Sequence, residues 1–178
     1  KLPRSVVDAK GLRDLLVDKL KVPASNVKLL TNLDSNQVKT AWLTHVKALA
    51  KGDISIFFFS GHGMGIAESG ETYLVPKDFN PQGEAPIEVM GTSLKWMLSE
   101  FRKGQSKDLG IFIIDACRSE VGPIGGKFVE TSGSFVPIPA APDTFIFYSA
   151  DSRQIALEHL GPEDRNPYSV YTRELLQL

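Results

Sequence analysis

The sequence predicts an α/β fold, a three-layer α/β/α sandwich with a mostly parallel central sheet, and three observations predict it. Three apolar runs, Ile54–Phe59, Leu109–Ile114 and Thr144–Ser149, lack polar alternation, the pattern of strands buried on both faces of a parallel sheet. Amphipathic segments with helical spacing alternate with them, as parallel crossovers require. Two of the runs break off in polar chemistry, one in Ser60-Gly61-His62-Gly63 and the other in Asp115-Ala116-Cys117-Arg118. In open parallel sheets, chemistry collects outside the carboxyl ends of the strands. One thiol and one imidazole are therefore expected at one edge of one sheet.

Each element has its own justification. Residues 4–20 set Ala9, Leu12, Leu15, Leu16 and Leu20 on one face, predicting an amphipathic helix. Val27–Leu30 reads as a short strand. Asp34 or Ser35 is expected to cap a second helix, with Val38, Trp42, Val46 and Leu49 as its stripe and Gly52 as its stop. After the strand Ile54–Phe59 and His62 comes a glycine-studded loop. Tyr73-Leu74-Val75-Pro76 reads as an edge strand or strand end, because proline cannot donate to a ladder. Residues 79–91 read as loop, and Thr92 as the cap of a third helix with Leu94, Met97, Leu98 and Phe101 inward. The strand Leu109–Ile114 follows. Residues 119–142 carry glycines before Ser134 and prolines after it, a long connection of the kind that is usually functional. Thr144–Ser149 is a third strong strand, Ile155–Glu158 a weaker one, and a last helix starts near Tyr168.

Composition narrows the class without naming a function. At 178 residues the chain suits one well-buried core rather than two domains. A net charge of −1 gives no electrostatic reason to expect nucleic acid or an anionic membrane as partner. The single cysteine excludes an internal disulfide, and no apolar stretch approaches the roughly 18 residues of a membrane span. The N-terminus lacks the apolar middle of a signal peptide, which a trimmed chain would have lost. The expectation is a soluble protein, cytoplasmic or secreted after loss of a signal peptide.

Cys117 alone reads as a small buried hydrophobe, and His62 alone carries no specific meaning. Together they read differently, because a nearby base turns a thiol into a nucleophile. Fifty-five positions separate them, with a helix between their strands, close to the spacing of about 50 in the caspase signature. Other constellations fail. No Lys-Ser/Thr pair follows the glycines after Gly61, no G-x-S-x-G elbow occurs, and His45, His62 and His159 lack zinc spacing with one cysteine. His45 reads as an ordinary helix residue and His159 as a turn residue without a role.

The chain resembles the caspase-like cysteine peptidases, the group of caspases, metacaspases and paracaspases, and most of all the bacterial caspase-domain proteins. Phe59-Ser60-Gly61-His62-Gly63, Tyr73–Asp78, Asp115-Ala116-Cys117-Arg118, Tyr148-Ser149-Ala150 with Gln154–Glu158, and Asn166–Leu176 carry the resemblance. It implies a caspase-like fold in one peptidase domain over 1–178. Residues 1–118 would form a large segment, 119–142 a loop and 143–178 a small segment. The family opens with a buried strand ahead of the first helix, whereas this sequence opens at that helix. Either that strand lies outside these residues or a sheet edge is uncovered.

The resemblance also implies roles. Cys117 would attack a peptide carbonyl and form a thioester, His62 would manage the proton, and the backbone N–H groups of Gly63 and Cys117 would form the oxyanion hole. Asp115 stands where aspartate-specific caspases carry glutamine. Asp8, Ser60 and Asp115 match the basic-residue pocket of metacaspases and paracaspases, so cleavage after Arg, then Lys, is expected. The bland alternatives are that Asp8 is an exposed helix residue and that Asp115 makes a structural hydrogen bond to the loop. Ala156, Leu157 and Glu158 would pair with the extended substrate, Glu158 being otherwise solvated, and Lys127 is the candidate for self-cleavage. Metacaspases often need calcium, but Asp78 is followed by Glu88-Val89-Met90 rather than paired acids, so no cofactor is expected. Partners would be protein or peptide substrates with Arg or Lys at the cleavage site. The rivals are a catalytically silent caspase-like scaffold and a small-molecule-binding α/β domain with a fortuitous dyad.

Overall fold

The computed structural model describes residues 3–66, 69–80, 86–103, 107–118, 143–149, 157 and 159–177. A five-stranded mixed sheet organises them. β1 (Asp53–Ile66) and β4 (Lys107–Arg118) lie parallel at its middle, and β5 (Thr144–Tyr148) pairs parallel on the far side of β4. β2 (Glu71–Leu74) and β3 (Thr92–Ser93) complete the other side with antiparallel pairings. Five helices accompany them among the described residues: α1 (Pro3–Asp14), α2 (Ser35–Ala48), α3 (Ile87–Met90), α4 (Leu94–Lys103) and α5 (Val170–Leu175).

The apolar runs become strands, but they are not buried on both faces as expected: Ile54, Ile56, Phe145 and Phe147 are 41–61 % exposed on the face opposite α2 and α4. β1 and β4 also outlast the runs. Both continue through the polar motifs, past the strand ends at Phe59 and Ile114 that the sequence predicts, and β1 runs into the stretch after His62 expected to be loop. β1 turns its last residues onto β2, with Gly63 opposite Leu74 and Gly65 opposite Thr72. That ladder provides partners for backbone groups that would otherwise need water, so the glycines remain extended. β4 follows because β1 pairs with it as far as Gly63↔Arg118.

Alternation assigns the two sheet faces. One face presents Phe57, Phe59, Phe112, Ile114 and Ala116 to α2 and α4, whose Trp42, Met97, Leu98 and Phe101 fill the core. Trp42 packs its ring edge-on to Phe57 and Phe112 and donates its indole N–H to the Met97 carbonyl at 3.1 Å. A buried indole needs such a partner. His45 is more than an ordinary helix residue: its Nε2 lies 2.8 Å from the hydroxyl of buried Ser55, tying α2 to the start of β1. α1 and α5 lie on the opposite face, where Asp8 reaches Ser60 and α5 reaches Asp115.

Several local expectations are corrected. Beyond α1 the helix widens into a π turn over Leu15–Lys19, in which the Leu20 amide bonds the Leu15 carbonyl. The wider turn rotates Leu20 off the apolar stripe, and it is 62 % exposed. Val27–Leu30 is not a strand, because it pairs with no other strand among the described residues; a 3₁₀ turn over Ala24–Asn26 precedes it. Asp34 caps α2 in a capping box with Gln37, yet Gly52 does not stop that helix, which ends at Ala48; Gly52 forms the turn into β1 with φ +91°. Residues 87–90 form a helical turn. Thr92 is in β3, paired with Leu74, and Ser93 accepts the Trp96 amide at the start of α4 instead. The last helix begins at Val170, capped by Ser169. The expected strand Ile155–Glu158 and the loop 119–142 lie outside the described residues, Leu157 apart.

Gly11 lies in the middle of α1, where glycine is a poor helix former. A Cβ there would come within 2.6 Å of the Tyr168 ring and 2.8 Å of a Leu176 methyl. The missing side chain lets α1 approach the last segment of the chain. Gly11→Ala should therefore destabilise the protein although alanine favours helix by about 1 kcal/mol, since overpacking costs about 1–3 kcal/mol. Thermal melting should show a Tm about 2–4 °C lower per net kcal/mol; a Tm raised by the substitution would contradict the packing.

Candidate active site

His62 and Cys117 are register partners on β1 and β4. Neighbouring strands stand about 4.8 Å apart, so the two backbones run side by side at that point. Two residues upstream, Ser60 and Asp115 are partners in the same ladder. Residues i and i+2 of a strand occupy one face, so the four positions mark out a patch of about 6.6 by 4.8 Å on the face that carries α1 and α5. The His62 carbonyl accepts the Val75 amide at 3.0 Å, anchoring the strand beneath the imidazole. Gly63 follows, buried, with Leu74 on one side and Arg118 on the other.

Asp8 of α1 meets Asp115 at the Ser60 end of this patch. They are 1 % and 2 % exposed, and neither has an ion pair among the described residues. Neutral donors surround them. The Ser60 hydroxyl donates to Asp8 Oδ2 at 2.8 Å and the Ser169 amide to Asp8 Oδ1 at 2.9 Å. The Ser169 hydroxyl donates to Asp115 Oδ2 at 2.5 Å, and the Thr172 hydroxyl to the same oxygen at 2.8 Å. Burial pushes the Asp8 carboxyl above the usual carboxylate range, the Ser169 amide and the Ser60 hydroxyl oppose that, and the Asp115 charge adds to it. Burial, with the charge of Asp115 beside it, also raises the Tyr171 phenol.

A second cluster holds the approach to α5. Asp164 Oδ2 accepts the Leu160 amide at 2.9 Å, and Oδ1 accepts the Asn166 amide at 3.1 Å. Arg4 of α1 and Arg173 of α5 pair with Asp164 at 3.5 and 3.2 Å, and Arg4 also bonds the carbonyls of Asp164 and Tyr168. The two backbone amides, then the arginines against an opposing burial effect, lower the Asp164 carboxyl to about 2.

The structure thus brings Asp8, Ser60 and Asp115 together and puts His62 beside Cys117. Asp8 is not an exposed helix residue. Among the described residues the side-chain partners of Asp115 are Ser169, the cap of α5, and Thr172 within it; the loop 119–142 lies outside the described residues. Leu157 is half exposed, and its carbonyl accepts the Val170 amide at 3.2 Å; Ala156, Glu158 and Lys127 lie outside the described residues. Sequence reasoning assigned no role to Ser169 or Thr172. Ser169 ahead of an apolar pair signals a helix cap, but nothing local signals its bond to a carboxylate 54 positions away. Asp78, the acid that calcium would enlist, accepts the Ser35 amide at 3.0 Å, and no group of three or more candidate ligands occurs among the described residues.

A sheet with cysteine beside histidine toward the carboxyl ends of parallel strands, over a buried acid pair, is the site of an α/β protein with chemistry at its strand ends. The caspase domain matches residues 1–178, and the chain belongs to that family, with its α/β caspase-like fold. Membership supports a cysteine peptidase-type function and proteins as substrates in general. No curated protein matches the sequence, and no helix among the described residues is long and apolar enough to cross a membrane.

The two shifted acids act on stability with opposite signs. Asp164, lowered, stabilises the fold above its ordinary 3.8, and that contribution is lost as pH falls toward about 2. Asp8, raised, contributes most below 3.8 and loses that contribution as pH rises through its higher folded value. In acid titrations followed by circular dichroism, Asp164→Asn should melt lower than the wild type at pH 7 and lose less stability between about pH 4 and 2. Parallel curves for the two proteins would remove Asp164 from the acid response.

Proposed function

We propose that this protein is a cysteine endopeptidase that cleaves after arginine, and next after lysine, with Cys117 as nucleophile and His62 as proton carrier. The observation that carries the proposal is one ladder in which His62 pairs with Cys117 and Ser60 with Asp115. Reaction and recognition then share one sheet face, about two strand residues apart.

The Cys117 thiolate attacks the carbonyl carbon of the scissile bond, and the backbone N–H groups of Gly63 and Cys117 receive the oxyanion. The intermediate collapses to a thioester as the C–N bond breaks, and His62 gives its proton to the leaving amine. His62 then takes a proton from water, whose oxygen attacks the thioester, and the acid product leaves with the thiolate restored. A long cationic side chain on the residue before the cleaved bond can reach from the carbonyl to Asp8 and Asp115. An aspartate there would be too short and would meet like charge. A buried acid pair without a cation favours one from the substrate, and a guanidinium can bond two carboxylate oxygens at once.

Leu157, with Ala156 and Glu158, is the segment proposed to pair with the extended substrate, and Lys127 the proposed self-cleavage point. The near-complete cover over Asp8 and Asp115 favours a second reading, in which the acids only staple α1, β4 and α5 together. A silent scaffold is the rival from another class.

A panel of fluorogenic peptides separates these readings. The wild type should turn over Arg peptides, Lys peptides less, and Asp peptides not at all. Cys117→Ala should abolish turnover, and an arginine chloromethyl ketone should add its mass to the wild type alone. Asp115→Asn should raise KM for Arg peptides about tenfold or more, the loss expected when a charged hydrogen-bond partner is removed. Turnover only after Asp would sink the basic preference, and unmodified Cys117 would favour the scaffold. Asp115→Asn with a lower Tm and unchanged KM would favour the staple.

A further inference from the structure

Two acids do not make a selective pocket unless they are held at one spacing. An ammonium is satisfied by either carboxylate alone, whereas the planar guanidinium fork gains most from oxygens fixed in one plane and at one separation. Asp8 and Asp115 are on different elements, α1 and β4; Ser60, the register partner of Asp115, donates to Asp8 but not to Asp115, so it joins the two acids only through the backbone ladder.

Ser169 touches both. Its amide donates to Asp8 Oδ1 and its hydroxyl to Asp115 Oδ2, and the same hydroxyl accepts the Thr172 amide at 3.2 Å as the cap of α5. One buried residue, 2 % exposed, thereby links α1, β4 and α5 through three hydrogen bonds. The adjacent Val170 amide bonds the Leu157 carbonyl, so the start of α5 also touches the segment proposed to pair with substrate. Upstream, Arg4 binds the Tyr168 carbonyl and, with Arg173, Asp164, which fixes the chain entering Ser169 from both sides. Ser169 has no place in the chemistry of bond cleavage. What it can set is the distance and orientation of the acid pair.

We infer that Ser169 is the positioning residue of the basic-residue pocket, joining Asp8 and Asp115 into one fork and so setting the preference for arginine over lysine. The inference rests on the basic-pocket reading and adds to it the residue that makes the pocket discriminate. Ser169→Ala removes the hydroxyl and leaves the amide bond to Asp8, so Asp115 is held by Thr172 alone and α5 loses its cap. Ser169→Thr keeps a hydroxyl at the same point. Thr172→Val removes the other donor to Asp115 at nearly constant shape and leaves the cap in place.

The test is steady-state kinetics of the wild type and these three variants on matched Arg and Lys peptides, with the rate of Cys117 alkylation by neutral iodoacetamide and Tm recorded alongside. In Ser169→Ala the Arg:Lys ratio of kcat/KM should fall about tenfold, through KM for the Arg peptide, as expected for losing a hydrogen bond to a charged group. The alkylation rate, which does not depend on the acid pocket, should stay within about twofold. Ser169→Thr should restore the ratio. Thr172→Val should lower it by about threefold, as for the loss of a weaker hydrogen bond, and it decides the question if Ser169→Ala does not fold. An unchanged ratio in Ser169→Ala, or equal losses on both peptides, overturns the inference while the pocket stands. A wild type that cleaves after neither Arg nor Lys overturns the pocket and this inference with it.

Discussion

The parallel pairing of β1 with β4 is the constraint on which the rest of the structure depends. It runs in register from Ile54↔Leu109 to Gly63↔Arg118. Its apolar part buries Phe57, Phe59, Phe112 and Ile114 against Trp42 and Phe101. The same register, continued past the apolar part, sets Ser60 beside Asp115 and His62 beside Cys117. A slip of one residue would send every side chain of one strand to the other face. The core therefore fixes the site: the aromatic packing that makes one register favourable also decides which polar residues meet.

The polar face is organised by a different balance. Two carboxylates buried together repel, and burial disfavours their charge. Here four donors from Ser60, Ser169 and Thr172 offset that cost without neutralising it. The donors belong to β1 and to the start of α5, so the acid pair holds the last helix against the sheet. Asp164 does the same for the preceding segment, with real cations in place of hydroxyls. One cluster is already satisfied by Arg4 and Arg173. The other has no cationic partner among the described residues, which is what the proposed receptor for a cationic side chain requires.

Burial of the acids and their proposed use are compatible in physical terms. A hydrogen bond from a neutral hydroxyl orients a carboxylate but leaves it acceptor capacity and charge. The Ser169 amide and hydroxyl act on the side of the carboxylates that faces α5. In the proposed pocket they would fix the geometry before a ligand arrives, which lessens the ordering that binding otherwise requires.

The three strong strands, the helix carrying Trp42 and the pairing of polar motifs at the strand tips were legible in the sequence, because burial and periodicity are local signals. Asp8, Ser60 and Asp115 were legible through resemblance to related motifs. Less legible was anything set by a partner far along the chain. Gly63 and Gly65 remain in a strand because β2 pairs with them; Val27–Leu30 is no strand because nothing among the described residues pairs with it; Leu20 faces solvent because a π turn shifts the helix phase. Ser169 is the clearest case, since its sequence context announces a helix cap and its buried contacts make it a bridge between two acids. The sequence by itself determined which segments form the main strands and helices and where polar motifs end them, because side-chain polarity and spacing act within a few residues. Only the tertiary structure decided where strands end and which donors meet the acids, because those depend on hydrogen-bond partners brought near by packing rather than by chain order.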